Sequence, residues 1–192
     1  MKKTVTIGLV LVSFFIKAQD VSVEKKLFGV QFGLLSSGFQ YETKLQRKMT
    51  LMTELGLTLV MSTKEFNNPN IKDKTTTIFA PYLSLEPRWY YGLDRRNKLG
   101  RNIKNNSSNF ISLKSSFISS KTPVIKNGSF DITPAIFLAP MYGIRRSFAK
   151  NFHYQFSGGY GYQYNFFSKS EGCNCKHFTT DIDLQASIGY NF

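Results

Sequence analysis

Two cysteines in 192 residues do not make a disulfide framework, and two histidines leave little material for a metal cluster. Carboxylates are scarce too, 12 Asp and Glu against 25 Lys and Arg, a formal net charge of +13. Past residue 19 no apolar run is long enough for a membrane-spanning helix, and the mean hydropathy is slightly negative. These absences exclude an integral helical membrane protein but not a β-barrel, whose strands hide an apolar half by alternation. Intrinsic disorder is excluded by what is abundant: 18 Phe, 10 Tyr and one Trp make 15% of the chain. The length suits one domain.

Residues 1–18 read as a secretory leader. Lys2 and Lys3 precede the mostly apolar stretch 4–16, and Ala18 supplies the small residue before a cut at Gln19. Cleavage removes three lysines, Lys2, Lys3 and Lys17, which lowers the net charge from +13 to +10. Residues 19–26 are then expected as an N-terminal periplasmic segment and 27–192 as the folded domain.

Beyond the leader, hydrophobicity runs with period two, the mark of strands with one apolar and one polar face. In 152–166, Phe152, Tyr154, Phe156, Tyr160, Tyr162, Tyr164 and Phe166 share one parity, whereas His153, Gln155, Ser157 and Gln163 share the other. The same alternation marks strands at 28–34, 39–45, 51–61, 79–91, 111–117, 132–142 and 182–192, eight in all. Short connections 36–38 and 46–48 and longer ones at 62–76, 92–108, 119–128, 145–151 and 168–177 join them. Pro81 and Pro87, like Pro134 and Pro140, sit six residues apart on an apolar face. Proline donates no ladder hydrogen bond, so a closed sheet must bulge or unpair locally there.

Charged residues on the polar parity among small ones (Glu42, Lys44, Glu54, Glu86, Arg88, Lys114) suit the crowded interior of a small barrel, and Asp131, Asp181 and Asp183 join the expected interior charge network. Trp89, Tyr90, Tyr91, Tyr142, Tyr190 and Phe192 fall near strand ends, where an aromatic girdle would meet the membrane interface. The last strand, with Ile182, Leu184, Ala186, Ile188, Tyr190 and Phe192, resembles the C-terminal strand of Gram-negative outer-membrane barrels. That resemblance implies Ile188, Tyr190 and Phe192 as a signal read by the barrel-assembly machinery. From Leu27 to Phe192 the chain is similar to eight-stranded barrels of the OmpA and OmpX type, and LEPRWYYG with NNSSNF downstream resembles outer-membrane β-barrel proteins of Bacteroidota without a settled function. The expected fold is therefore all-β, an eight-stranded antiparallel up-and-down transmembrane barrel in the outer membrane, monomeric, partnered by outer-membrane lipids. The connections 36–38, 62–76, 119–128 and 168–177 would face outward, the others the periplasm.

Little chemistry is indicated. Eight strands leave scant room for a channel, so interior charges are expected to compensate one another rather than to relay protons. The stretch 95–104 (RRNKLGRNIK) has the charge for phosphate contacts, but an exported barrel rarely meets nucleic acid; a solvated turn or a contact with anionic lipid headgroups fits better. Cys173, Cys175 and His177 are candidate metal ligands on one side of an extended segment; a small disulfide ring, or no specific role, are the alternatives. His153 and His177 lie in no nucleophile motif, so no catalytic residue and no cofactor are expected. The expected role is structural or in surface interaction through the outer loops, against a lipid-modifying outer-membrane enzyme or a soluble periplasmic ligand-binding barrel.

Overall fold

A computed structural model describes residues 21–64, 74–119, 125–126, 133–166 and 177–192. The leader 1–18, Asp131, Cys173 and Cys175 lie outside the described residues. The alternating segments form β1 (Lys26–Gly33), β2 (Ser36–Gln46), β3 (Met49–Lys64), β4 (Lys74–Trp89), β5 (Asn109–Ile118), a two-residue β6 (Ile125–Lys126), β7 (Ala135–Ser147), β8 (Phe152–Asn165) and β9 (Phe178–Asn191). Apart from β6, successive strands pair antiparallel, with β5 on β7; β9 returns to β1 (Gly29 opposite Asn191), and the sheet closes as an eight-stranded barrel. β6 pairs only with β4, at Ile78 and Phe79, beyond the point where β5 leaves it.

Three expectations from sequence are corrected. Strands overrun several of their expected ends: β3 extends to Lys64 and β7 to Ser147, because alternation continues in polar residues that carry no hydropathy signal. The connection 92–108 is not irregular throughout; it holds a helix, α1 (Leu93–Lys98), and a 3-10 turn at Lys104–Asn106, where Asn105 and Asn106 take left-handed φ of 53° and 57°. Asparagine tolerates that region better than most residues. Tyr90, expected in the outer girdle, is fully buried.

Pro87 and Pro140 act as anticipated, by local unpairing, while Pro134 precedes β7 and Pro81 lies beyond the last β4–β5 pair. Pairing of β4 with β5 lapses at Glu86 and Pro87 and resumes at Arg88 in unchanged register; β7 with β8 lapses at Ala139 and Pro140 and resumes at Met141. Leu113, paired with Pro140, lies in the same cross-strand row as Pro87.

The barrel is inverted relative to a soluble protein. Inward positions carry Gln31, Gln40, Glu42, Glu86, Arg88 and Arg145, all buried, while outward positions carry apolar side chains. Phe39 is 60% exposed and Leu184 73%, and among the described residues thirty large apolar or aromatic side chains are exposed against twelve buried hydrophobics. Soluble monomers rarely present contiguous apolar surface beyond a few hundred Å². No helix among the described residues is long and apolar enough to cross a membrane.

The base, where β1 begins and β9 ends, is sealed. Val23, Tyr90, Leu93 and Phe110 form a buried apolar cluster, with Val21 and Ile103 packed against it and the Tyr90 and Phe110 rings 5.5 Å apart. At roughly 1.5–3 kcal/mol per buried large side chain, this pins the connection and the N-terminal segment across the opening. Val23 N donates to Arg47 O (3.0 Å) and Glu24 N to Asn106 Oδ1 (2.8 Å), which complete the seal. Gly143 makes room for Phe110: a Cβ there would overlap the ring.

Candidate functional site

The interior above the seal is a continuous polar network drawn from the base-proximal ends of most strands. Glu42 on β2 is its hub. Its Oε2 lies 2.5 Å from Arg145 Nη1, while Oε1 accepts from Thr50 Oγ1 (2.6 Å) and Tyr90 OH (2.9 Å). Arg145 Nε donates to Gln155 Oε1 (3.1 Å), and Arg88 Nη1 to the same oxygen (2.8 Å). Arg88 Nη2 pairs with Glu86 Oε2 (2.7 Å), and Glu86 Oε1 accepts from Ser112 Oγ (2.5 Å). The Arg88 guanidinium also lies over the Phe110 ring, 4.5 Å from its centroid, and so ties the network to the apolar seal. Each carboxylate has a cation beside it and further donors on its remaining oxygen, which is what makes burial of such charges tolerable.

A second group sits farther from the base. Tyr82 OH donates to Glu54 Oε1 (2.5 Å), and Lys114 Nζ pairs with Asp183 Oδ2 (2.7 Å), which also accepts from Gln185 Nε2 (3.1 Å). Tyr82, Lys114 and Asp183 line an interior cavity of about 240 Å³ together with Ser36, Thr58 and Gln163. The cavity shares Asp183 with a smaller one of about 120 Å³ that reaches Gln31 and Ser187. Gln31 Oε1 and Ser187 Oγ are buried without a protein partner, positions that ordered water suits.

Of the residues expected in the interior network, Glu42, Glu54, Glu86, Arg88, Lys114 and Asp183 line the lumen. Lys44 does not join it: it is exposed at the base with Nζ on Ser22 Oγ (2.6 Å), whereas Asp181, exposed toward the opposite end, lines the larger cavity beside Asp183 and Gln163. The β2–β3 register shifts between Lys44 and Gln46, and the strand ends there, so Lys44 follows the alternation out of the barrel. Arg145, Thr50, Tyr90 and Gln155 are network members that the sequence reading did not single out. Arg145 shares the parity of Ala135, Phe137, Ala139, Met141 and Gly143, so carrying the β7 alternation three residues past Tyr142 finds it.

His153 is fully buried, its Nε2 3.5 Å from Gln40 Nε2 and its Nδ1 without a partner. Its ring fills the space over Gly189, where a Cβ would collide with it. His177 is exposed, stacked on Tyr164 at 5.8 Å, with Nδ1 3.1 Å from Asn165 O. Its two candidate co-ligands lie outside the described residues. Among the described residues no three His, Cys, Asp or Glu side chains are grouped to hold a metal ion. Ile188, Tyr190 and Phe192 all face outward, with Phe192 packed on Phe28 (5.5 Å) and Tyr190 (5.4 Å).

The exterior of the base is basic. The Lys48 ammonium hydrogen-bonds Asp94 at the head of α1, and Arg47 lies 3.5 Å from the same oxygen; these hold the Asp94 carboxyl below the usual aspartate range. Arg96 sits below the usual guanidinium value, first through partial burial and then through the charge of Arg101. Compared with known protein families and curated proteins, the chain matches none.

Proposed function

We propose that this chain is an outer-membrane β-barrel, exported by a cleaved leader, that works without catalysis as a structural or surface-interaction protein through the connections opposite its base. The observation that carries this is the inversion of the barrel: charged and amide side chains sealed inside, phenylalanine, leucine and tyrosine outside around the whole wall. A wall of that kind is costly in water and stable in hydrocarbon, since closure leaves no open sheet edge and the ladder lapses only locally, beside Pro87 and Pro140. Trp89, Tyr91, Tyr142, Phe152 and Phe192, exposed on the outer wall at the base, fit the level of a membrane interface. The lumen, crossed by the Glu42–Arg145 pair and the Arg88–Gln155 hydrogen bond and capped by α1, supports a closed barrel rather than a diffusive pore. Within this class, a small barrel of the OmpA or OmpX type is the architecture we favour, and the proposed partners are outer-membrane lipids, with the assembly machinery acting during biogenesis.

Cell fractionation followed by unheated and heated gel electrophoresis tests it. Extraction only by detergent, with faster migration before heating, is the expected result. Release by osmotic shock without detergent overturns the membrane placement.

A further inference from the structure

The base carries a charge imbalance that the barrel wall turns toward lipid. Twelve described lysines and arginines stand at that end against Glu24 and Asp94, and Asp94 is already taken by Lys48 and Arg47. Three of the arginines lie within electrostatic reach of one another. Arg96 on α1 is held by Nε and Nη2, both donating to Asn102 O (3.2 and 2.8 Å). Arg146, near the end of β7, is held by Nη1 on Arg145 O (2.7 Å) and Nη2 on Asn109 Oδ1 (2.5 Å). Arg101 lies within electrostatic reach of both. Among the described residues none of the three is paired with a carboxylate. Arg96 and Arg146 are anchored by neutral carbonyl oxygens, which fix their direction, leave N–H groups over and neutralise nothing. Like charges fixed together without a counter-charge repel one another, and an anion between them relieves that cost.

The surroundings of Arg146 identify the anion. Arg146 has the outward parity of Tyr142 and Ile144, and its cross-strand neighbour is Tyr154. Tyr154 borders a groove of about 670 Å³ on the outer wall, lined also by Phe148, Phe156, Phe32 and Leu34 over Ala186. A second groove, of about 400 Å³, shares Leu34, Phe156 and Ala186 with it and reaches Ile144 and Gly158. Beside the cluster, Tyr91 OH meets Tyr142 OH (3.3 Å) and Asn109 Nδ2 donates to Tyr142 OH (3.1 Å), so phenol hydroxyls stand at the same level as the guanidiniums. Cations that bind phosphate oxygens in forked geometry, directly adjoining an apolar groove on a wall of this kind, match one molecule with both parts.

We propose that Arg96, Arg101 and Arg146 form a phosphate site for an anionic glycerophospholipid in the leaflet at the base, one acyl chain of which lies in the groove between Phe148, Tyr154, Phe156 and Ala186. This rests on the membrane placement of the barrel. A free phosphate would use the arginines but not the groove; a lipid uses both.

The folded chain is reconstituted in vesicles of equal phosphatidylcholine and phosphatidylglycerol, and retained lipid is counted by native mass spectrometry after transfer to micelles. One phosphatidylglycerol is expected to stay bound. The triple variant Arg96→Gln, Arg101→Gln, Arg146→Gln is expected to lose about a hundredfold in affinity for it, at about one interfacial charge contact per arginine. A control with equal charge loss at the same end, Arg95→Gln, Lys98→Gln, Lys150→Gln, is expected to retain the lipid. Equal loss in both triples, unchanged retention in the first, or displacement by millimolar inorganic phosphate overturns the site. Heat-shifted migration from vesicles of phosphatidylcholine alone reports insertion separately. Insertion without lipid preference sinks this inference only; no insertion sinks the membrane placement with it.

Discussion

Glu42→Gln is the sharpest test of whether the interior network is a dry, compensated charge system. The substitution preserves volume but removes the charge that faces Arg145 Nη1 at 2.5 Å and weakens the acceptor used by Thr50 and Tyr90. Both members of the pair are fully buried, with side-chain exposures of 1% and 2%, so the orphaned guanidinium has no water to turn to. Breaking a buried pair on one side costs about 3–5 kcal/mol, and the disturbed hydroxyl bonds add about 1 kcal/mol. Against a typical total of about 5–15 kcal/mol that is a large fraction. Trp89, the single tryptophan, sits half-exposed on the outer wall and reports unfolding by its fluorescence in a denaturant titration of the reconstituted chain. Pairing the change with Arg145→Met removes both charges. The double variant is expected to be more stable than the sum of the singles by about 1–3 kcal/mol. A loss under about 1 kcal/mol for Glu42→Gln, or strict additivity, would refute the reasoning, because it would mean that water reaches and screens the pair.

Two further outcomes follow from the seal at the base. Gly143→Ala drives a methyl group into the Phe110 ring and is expected to cost about 1–3 kcal/mol by the same titration, a cost that vanishes in a Phe110→Ala background. Asp94 has a carboxyl pKa lowered by Lys48, so its contribution to docking α1 is present above the unfolded value near 4 and is lost as pH falls through the folded one. Amide exchange at Leu93–Lys98 is therefore expected to rise relative to the strand amides below about pH 4, and Asp94→Asn to show the faster exchange already at neutral pH. An unchanged profile in the variant would dissociate Asp94 from the seal.

The fold was legible where side-chain chemistry alternates strongly. Phe152 to Phe166 declares a strand because one face is aromatic and the other polar, and the inward parity of Glu42, Glu86 and Arg88 follows from the same count. Legibility fails at polar strand ends and where tertiary packing overrides position. Arg145 lies on a stretch, Gly143 to Ser147, with only one strongly apolar residue, so hydropathy goes quiet while the hydrogen-bond ladder continues to Ser147. Tyr90 looks like its neighbours Trp89 and Tyr91, yet the chain leaves the sheet after Trp89, and its ring turns in to Phe110 and its hydroxyl to Glu42. No local pattern marks that turn; it is fixed by partners 20 and 48 positions away, Phe110 and Glu42. The electrostatic coupling of Arg96 and Arg101 to Arg146 is likewise invisible in sequence, since the connection 92–108 and the end of β7 are far apart along the chain.

The placement of charge ties these observations together. The buried carboxylates, Glu42, Glu54 and Glu86, equal in number the buried cations, Arg88, Lys114 and Arg145. With the half-buried Asp183 counted too, four lumen carboxylates face three cations, so the interior of the described barrel holds none of the chain's positive excess, and the pairing limits the cost of burial, since an uncompensated ion there costs several kcal/mol. The pairing is local near the base, where each of Glu42 and Glu86 has its own arginine, and Gln155 bridges the two guanidiniums. Farther up, Lys114 pairs with the partly exposed Asp183 rather than with Glu54, and Glu54 is left to Tyr82. This looser matching coincides with the cavity, where solvent can share the load. The chain's positive excess therefore lies outside the lumen, and at the base it gathers on the outer rim.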